Sequence, residues 1–534
     1  MDGFLISLLC ILGLIGTGNS QTLTAELDYG TFEGAYSSTY NISYWQKIPF
    51  AAPPVGEDRF RAPQPPDPIT NGTYNSTQTF DMCPQRTVNG SEDCLYLGLY
   101  SRPWESGAAL RPVVLAFYGG GYIEGDAAFS LPPPAYPILN VSGAEDMIFV
   151  YPNYRVNAFG FLSGAEIAAD PMSDSNAGLL DQSMALYWVH EYISEFGGDP
   201  DRVTVWGQSA GGGSAIAQAI GDQSNGNSRL IRQALPGSPF WSKTYKADAP
   251  ETQTLYDSLA NMTGCSGPGS LACLKGVDVQ AIRIASLIIA DSQTYGISSY
   301  SWGPVLDGVF LREPLSTAAT GVNINGIVNG AGTYNLHEGQ NFIPPGLNGH
   351  RVDTGIPPFN SSIASFEKWL TGYLPGLTTA DLARLRELYP VVGSAENLPS
   401  YNDSYTRAGL IFRDSVLACP AYWLVGSAAE GSWIGEYTIP PATHASDVYW
   451  WDTVNSAQQT DPLHYGGYAG AIASFFMTGN PNSLKLTANN ISGLPALKGK
   501  EEWVIDTAGF ATSALGQFET RCAFWKEVAP RVPM

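Results

Sequence analysis

Positive charge is scarce in this chain. Against 49 Asp and Glu stand only 27 Lys and Arg, giving a formal net charge of −22 over 534 residues. Nucleic acids and anionic membrane surfaces are bound through clustered Lys and Arg, and no such cluster occurs, which argues against both partner classes. Outside the N-terminus no apolar run is long enough to cross a bilayer, so no transmembrane anchor is expected. Linkers rich in Pro, Gly or Ser, charge runs and internal repeats are also missing. The length would permit about three domains, but nothing divides the chain, and one large domain is expected. No His-Glu-x-x-His pattern is present, so no metal site is expected. Neither a phosphate-loop lysine nor a helix-opening Gly-x-Gly-x-x-Gly occurs, and no cofactor is expected. Histidine is rare as well, with five in all, so a general base has few places to be.

What the chain does have begins with an apolar run from Phe4 to Ile15, followed by Gly18-Asn-Ser20. Small residues after an apolar stretch suit signal-peptidase cleavage, so residues 1–20 read as a signal peptide and 21–534 as the mature domain, secreted and extracellular. Glycosylation sequons at Asn41, Asn71, Asn75, Asn89, Asn140, Asn261, Asn360, Asn402 and Asn490 agree with that route. Seven cysteines become six once Cys10 leaves with the signal peptide. Six permit three disulfides in fifteen connectivities. Local spacing narrows them: Cys83 with Cys94 closes one small loop, Cys265 with Cys273 another, and Cys419 is left to reach Cys522.

The most informative segment is Phe196-Gly-Gly-Asp-Pro-Asp-Arg-Val-Thr-Val-Trp-Gly-Gln-Ser-Ala-Gly-Gly212. Val203 to Trp206 has the β-branched and aromatic bias of a buried strand, and Ala210 to Ile220 is small and apolar enough to form a helix packed on a sheet. Gly207 and Gly211 flank Ser209, as a nucleophile elbow requires where strand and helix backbones approach closely. An unassisted serine hydroxyl is a poor nucleophile, so Ser209 needs a histidine base and that base a buried carboxylate. In folds with this elbow the order along the chain is serine, acid, histidine, which directs the search downstream. His444 lies in Pro440-Pro-Ala-Thr-His-Ala-Ser-Asp447, a loop that must follow a strand because two prolines cannot continue one. His464 is the alternative, read as the surface start of a helix. His190 falls within an expected helix from Gln182 to Phe196, and His350 has polar loop neighbours.

The elbow resembles that of the type-B carboxylesterase/lipase family, which holds fungal lipases, animal carboxylesterases and cholinesterases. The resemblance extends over almost the whole mature chain. It includes Pro49-Phe-Ala-Ala-Pro-Pro-Val-Gly56 with Arg59-Phe60, Glu92-Asp-Cys-Leu-Tyr96, Tyr118-Gly-Gly-Gly-Tyr122, Asn153-Tyr-Arg-Val156, Asn176-Ala-Gly-Leu-Leu-Asp-Gln182 and Phe475-Phe-Met-Thr-Gly-Asn-Pro-Asn482. It implies an α/β-hydrolase fold: one large domain with a central, mostly parallel twisted sheet flanked by helices. It also implies that Glu338, in a Glu-Gly turn expected after a strand near Asn325 to Asn329, is the acid, with Asp307 the alternative in a structural turn. By the same resemblance His444 is the base, and Gly120, Gly121 and Ala210 supply the oxyanion-hole amides. Glycines after the strand Val113 to Phe117 can turn their N–H groups inward because no Cβ obstructs them. The resemblance supports the three cysteine pairs and adds two ion pairs, Arg155 with Asp181 and Arg59 with Glu92. Two positions depart from the family pattern: Gly98 replaces a small polar residue, so local distortion of that strand is expected, and Gln208 replaces a glutamate.

Together these features describe a secreted serine carboxylic-ester hydrolase with an acyl-enzyme on Ser209. A lipase acting on long-chain acylglycerols or sterol esters is the alternative, and a non-catalytic binding protein is the opposing class. The segment Pro84 to Asp93 has no aromatic to face a quaternary ammonium, which argues against a cholinesterase. It has only Val88 as a sizeable aliphatic, which argues against its serving as a lipase lid. Leu287 to Trp302 is the other place a lid could come from.

Overall fold

In the computed structural model, residues 23–143, 146–221, 230–292, 302–319, 324–349, 358–484 and 493–533 are described. The expected signal peptide with Cys10, His350, Asn490 and most of the alternative lid segment lie outside them.

The centre is a 13-stranded sheet. Its main strands are β1 (Leu23–Leu27), β2 (Gly30–Ser37), β3 (Ile42–Pro49), β4 (Tyr96–Ser101), β5 (Arg111–Phe117), β6 (Ile148–Pro152), β7 (Gly198–Gln208), β8 (Gln233–Gly237), β9 (Asn329–Asn335), β10 (Gly431–Tyr437), β11 (Glu501–Asp506) and β12 (Gly509–Ala514). They lie in the order β1-β2-β3-β4-β6-β5-β7-β8-β9-β10-β11-β12, with a short strand Thr73–Asn75 beside β2. From β6 to β11 every neighbouring pair is parallel, and the antiparallel pairs sit at the two ends. This is the mostly parallel sheet of an α/β-hydrolase.

Both faces of the sheet are covered, which explains why the central strands read as unbroken apolar runs. In β5 the side chains of Val113, Leu115 and Phe117 join one apolar core while Val114 and Ala116 join the other. The first core takes in the helices α1 (Ala177–Tyr192) and α2 (Ala210–Ile220), and the second is closed by α3 (Pro462–Thr478). One helical stretch among the described residues, Ser404–Gly426, is long and apolar enough to cross a membrane, but 94% of its apolar window is buried inside the fold. It is a core helix, and its middle, Arg413–Ala418, is wound as a π-helix.

Some boundaries differ from those expected. The helix through His190 begins at Ala177 and ends at Tyr192, followed by a short 3-10 turn to Phe196. The strand before Glu338 is Asn329–Asn335, several residues later than expected, because all seven of its residues pair in register with β10, from Asn329 with Gly431 to Asn335 with Tyr437. Distortion near Gly98 falls on the opposing strand: the β3–β4 register shifts between Trp45 and Ile48, and a Cβ on Gly98 would stand 2.6 Å from the Phe129 ring.

Disulfides join Cys83 to Cys94, Cys265 to Cys273 and Cys419 to Cys522, closing separations of 11, 8 and 103 residues. The last ties the end of the π-helical turn to the C-terminal helix Gly516–Val528.

Candidate active site

Ligands in open parallel sheets collect at the carboxyl edge where strand order reverses, and here that edge carries Ser209. The serine follows β7 directly and precedes α2, at φ 60° and ψ −127°. For a non-glycine residue that conformation is strained, and neighbouring bonds hold it. Ser209 N–H donates to Gly237 O at 3.0 Å, and its carbonyl accepts from Gly213 N at 2.9 Å and Phe240 N at 2.7 Å. The flanking glycines are demanded by contact: a Cβ on Gly207 would lie 2.4 Å from the Gly211 carbonyl carbon, and one on Gly211 would lie 2.0 Å from Phe117 O.

His444 and Glu338 reach the same edge from the ends of adjacent strands. Glu338 opens a 3-10 turn after β9 and is fully buried; His444 sits in the loop after β10. Two backbone bonds knit these segments together, Leu336 N to Tyr437 O at 3.0 Å and His337 N to Ala442 O at 2.8 Å. The imidazole is then fixed from several sides. Its Nδ1 is 3.1 Å from Glu338 Oε2, Asn341 Oδ1 accepts from its backbone N–H at 3.0 Å, and the Phe342 ring stands edge-on at 4.9 Å. Its Nε2 lies 3.3 Å from Gln208 Nε2. Among the described residues, Ser209 Oγ makes no hydrogen bond to it. Catalytic hydrogen bonds in ligand-free sites are often long and tighten only with substrate.

Behind Glu338 is a network that sequence reasoning missed. Asn335 Nδ2 faces Glu338 Oε2 at 3.4 Å, Asp447 Oδ1 at 3.1 Å and Ser238 Oγ at 3.1 Å. Asp447 in turn accepts from Trp451 Nε1 at 3.3 Å and Tyr468 OH at 2.9 Å. These residues come from four separate segments, so no spacing rule could have assembled them. Asp447 was visible only as the end of the His444 loop.

The glycine loop begins at the end of β5. Gly120 has φ 108°, and a Cβ there would lie 2.2 Å from Glu124 O. Gly121 also has positive φ, and Ala210 is the first residue of α2, where helix amides lack partners of their own. Tyr118 anchors the loop by stacking on Tyr154 at 4.0 Å, and Tyr154 OH donates to Tyr118 O at 2.7 Å. Beside this loop a cavity of about 230 Å³ is lined by Tyr118, Gly119, Asp126, Gln208, Trp451 and Asp452, among others. Burial raises the carboxyl of Asp126, and pushes that of Asp452 up to about 6.

The remaining singled-out residues lie elsewhere. His464 is buried, not on the surface: it sits in the first turn of α3, held by Asp461 Oδ2 at 2.8 Å and Asp506 O at 2.6 Å. Burial lowers the basicity of His337, with Arg413 adding to the effect. Asp307 caps the turn at Val309 and Leu311 and accepts from Asn176. Arg155 and Asp181 form a buried two-pronged pair, and Arg59 grips Glu92 through Nε and Nη2 at 2.6 and 2.7 Å. Among the described residues no group of His, Cys, Asp or Glu is arranged to hold a metal ion.

Comparison with known proteins agrees with this architecture. Carboxylesterase patB of Aspergillus clavatus is 26% identical across 98% of this chain and 99% of its own, and secreted lipase 1 of Botryotinia fuckeliana is 32% identical across 55% of each chain. The crystal structure of Aspergillus niger EstA shares the fold at a TM-score of 0.79, with 24% identity over 96% of this chain and 99% of that one. The sequence pattern of the carboxylesterase family matches residues 21–490, so the chain belongs to that family and is a carboxylic-ester hydrolase.

Proposed function

We propose that this hydrolase is secreted and works through a covalent acyl-enzyme on Ser209. The observation that carries the reading is the meeting of Ser209, His444 and Glu338 at one sheet edge, with the His444 Nδ1 to Glu338 Oε2 contact of 3.1 Å already formed. Glu338 fixes the tautomer in which Nδ1 carries hydrogen, leaving Nε2 to take the Ser209 proton as Oγ attacks the ester carbonyl. The amides of Gly120, Gly121 and Ala210 receive the oxyanion. His444 returns the proton to the departing alcohol, then activates the water that hydrolyses the acyl-enzyme. Secretion is supported by three disulfides and by the exposure of all eight sequon asparagines among the described residues. A fluorophosphonate probe should label Ser209 stoichiometrically; a folded protein that resists labelling would mark a non-catalytic binding protein instead.

For substrate, dissolved short to medium acyl esters suit the segment between Cys83 and Cys94, which is fastened at several points. Gln85 is fully buried and exchanges bonds with Gly125, Arg283 Nε donates to Gln85 O and Val88 O, and Asn157 Nδ2 donates to Pro84 O. A segment so held does not open and close. The lipase reading is favoured by the names of relatives and by Ile284 and Ile288, exposed on one face of the helix Val279–Ser292 beside that segment. Rates measured across the solubility limit of one ester separate the two.

A further inference from the structure

We infer that Gln208 is a positioning residue that occupies the Nε2 lone pair of the catalytic base in the resting enzyme and so favours the neutral imidazole until substrate binds. The inference rests on the Ser209–His444–Glu338 reading above. Its own basis is the contact between Gln208 Nε2 and His444 Nε2 at 3.3 Å. With Nδ1 giving its hydrogen to the Glu338 carboxylate, Nε2 is an acceptor, and an amide N–H is a group that can donate to it. A glutamate, which the family pattern has here, would place a carboxylate at the same point. Carboxylates accept only, so a glutamate would oppose the neutral ring and favour the protonated one. The amide does the reverse.

The placement of the side chain fits such a role. Gln208 is the last residue of β7, so the backbone that presents Ser209 also presents the amide. It lies against the oxyanion loop: a Cβ on Gly119 would stand 3.4 Å from Gln208 Oε1, 2.7 Å from Gln208 O and 3.0 Å from Ser209 Cβ. It also lines the cavity of about 230 Å³. When His444 takes the Ser209 proton, its Nε2–H faces the amide N–H, and that cavity gives Gln208 room to withdraw. The side chain thus both contacts His444 and lines the cavity.

The consequence to test is a change in the pH profile of serine attack when position 208 carries a carboxylate. The titratable groups around the ring are Glu338 at Nδ1, Asp447 one step further through Asn335, and Asp126, Asp452 and Tyr118 across the cavity. All are common to wild type and variants, so a difference between them reports position 208.

The test is the rate of Ser209 phosphonylation by a fluorophosphonate from pH 4.5 to 9 in wild type, Gln208→Glu and Gln208→Met, with thermal melts to establish folding. That rate reads the base acting on the serine without the later hydrolytic step. In Gln208→Glu the acid limb should move up by about 1 to 2 pH units, as expected for a carboxylate placed within hydrogen-bonding distance. The ratio of rates at pH 8 and pH 5 should therefore rise at least ~10-fold. Gln208→Met, similar in size without a donor, should move the limb in the same direction by less. Superimposable profiles for all three folded proteins would overturn the inference and leave the catalytic triad standing. A wild type that is not labelled at all would instead overturn the triad.

Discussion

Replacing Glu502 by Gln should make stability less sensitive to pH, by an amount that follows from a buried charge cluster beneath the Glu338 turn. Arg413 pairs with Asp414 at 2.8 Å, Glu436 at 2.9 Å and Glu396 at 3.5 Å, and Arg521 pairs with Asp414 at 2.6 Å and Glu396 at 2.8 Å. Two guanidinium groups thus serve three carboxylates. Glu502, also fully buried, accepts from Tyr334 OH at 2.6 Å. Burial, with Glu436 adding its charge, raises the Glu502 carboxyl well above its ordinary value, and burial pushes Glu436 up to about 7. The folded pair keeps a proton that the unfolded chain releases near pH 4.5. The stabilisation is therefore complete below that pH and is lost as pH rises to about 7 and beyond. One retained proton is worth about 1.4 kcal/mol per pH unit, or about 2.7 kcal/mol between pH 5 and 7. An amide needs no proton, so relative to wild type Glu502→Gln should gain about 2 to 3 kcal/mol over that interval. Urea midpoints and slopes at pH 5, 6 and 7 give the difference directly. A difference constant to within about 0.5 kcal/mol would refute the proton-sharing argument.

Ser209→Ala should cut turnover at least ~10³-fold while the melting temperature is kept, since only the oxyanion hole and binding remain; more than about a tenth of wild-type activity would remove Ser209 from the mechanism. Among the disulfides, replacing Cys419 and Cys522 by Ala should cost most, because the chain-entropy relation gives about 4.7 kcal/mol for a separation of 103 residues. The same relation gives about 2.8 and 2.5 kcal/mol for the separations of 11 and 8. A smaller loss on removing the long-range bridge than on removing either short one, by denaturant midpoint, would contradict that order. Hydrolysis of a medium-chain ester should rise hyperbolically through its solubility limit; a several-fold jump there would favour the lipase.

Much of this protein was legible in its sequence because the decisive constraints were local. Close approach of strand and helix at Ser209 admits little but glycine at 207 and 211, and that requirement is written in five consecutive residues. The helix Ala210–Ile220 is found with the expected bounds for the same reason. Two-sided burial turned the central strands into apolar runs, so single strands such as Val203 to Trp206 were legible, while the parallel sheet came only with the family resemblance. Register between β9 and β10, set by pairing across the sheet, moved the strand before Glu338 later than its own residues suggested. His464 misled because a histidine followed by Tyr-Gly-Gly-Tyr looks exposed, whereas α3 packs it against the Asp506 carbonyl. What only the tertiary structure decided was everything that depends on distance between separate segments. The Asn335–Asp447 support behind Glu338, the cavity beside the glycine loop and the four carboxyls around Arg413 and Arg521 each join residues far apart in the chain. Sequence showed Gln208 as a departure; folding put its amide against the imidazole, because β7 and the loop after β10 end at the same edge of one sheet.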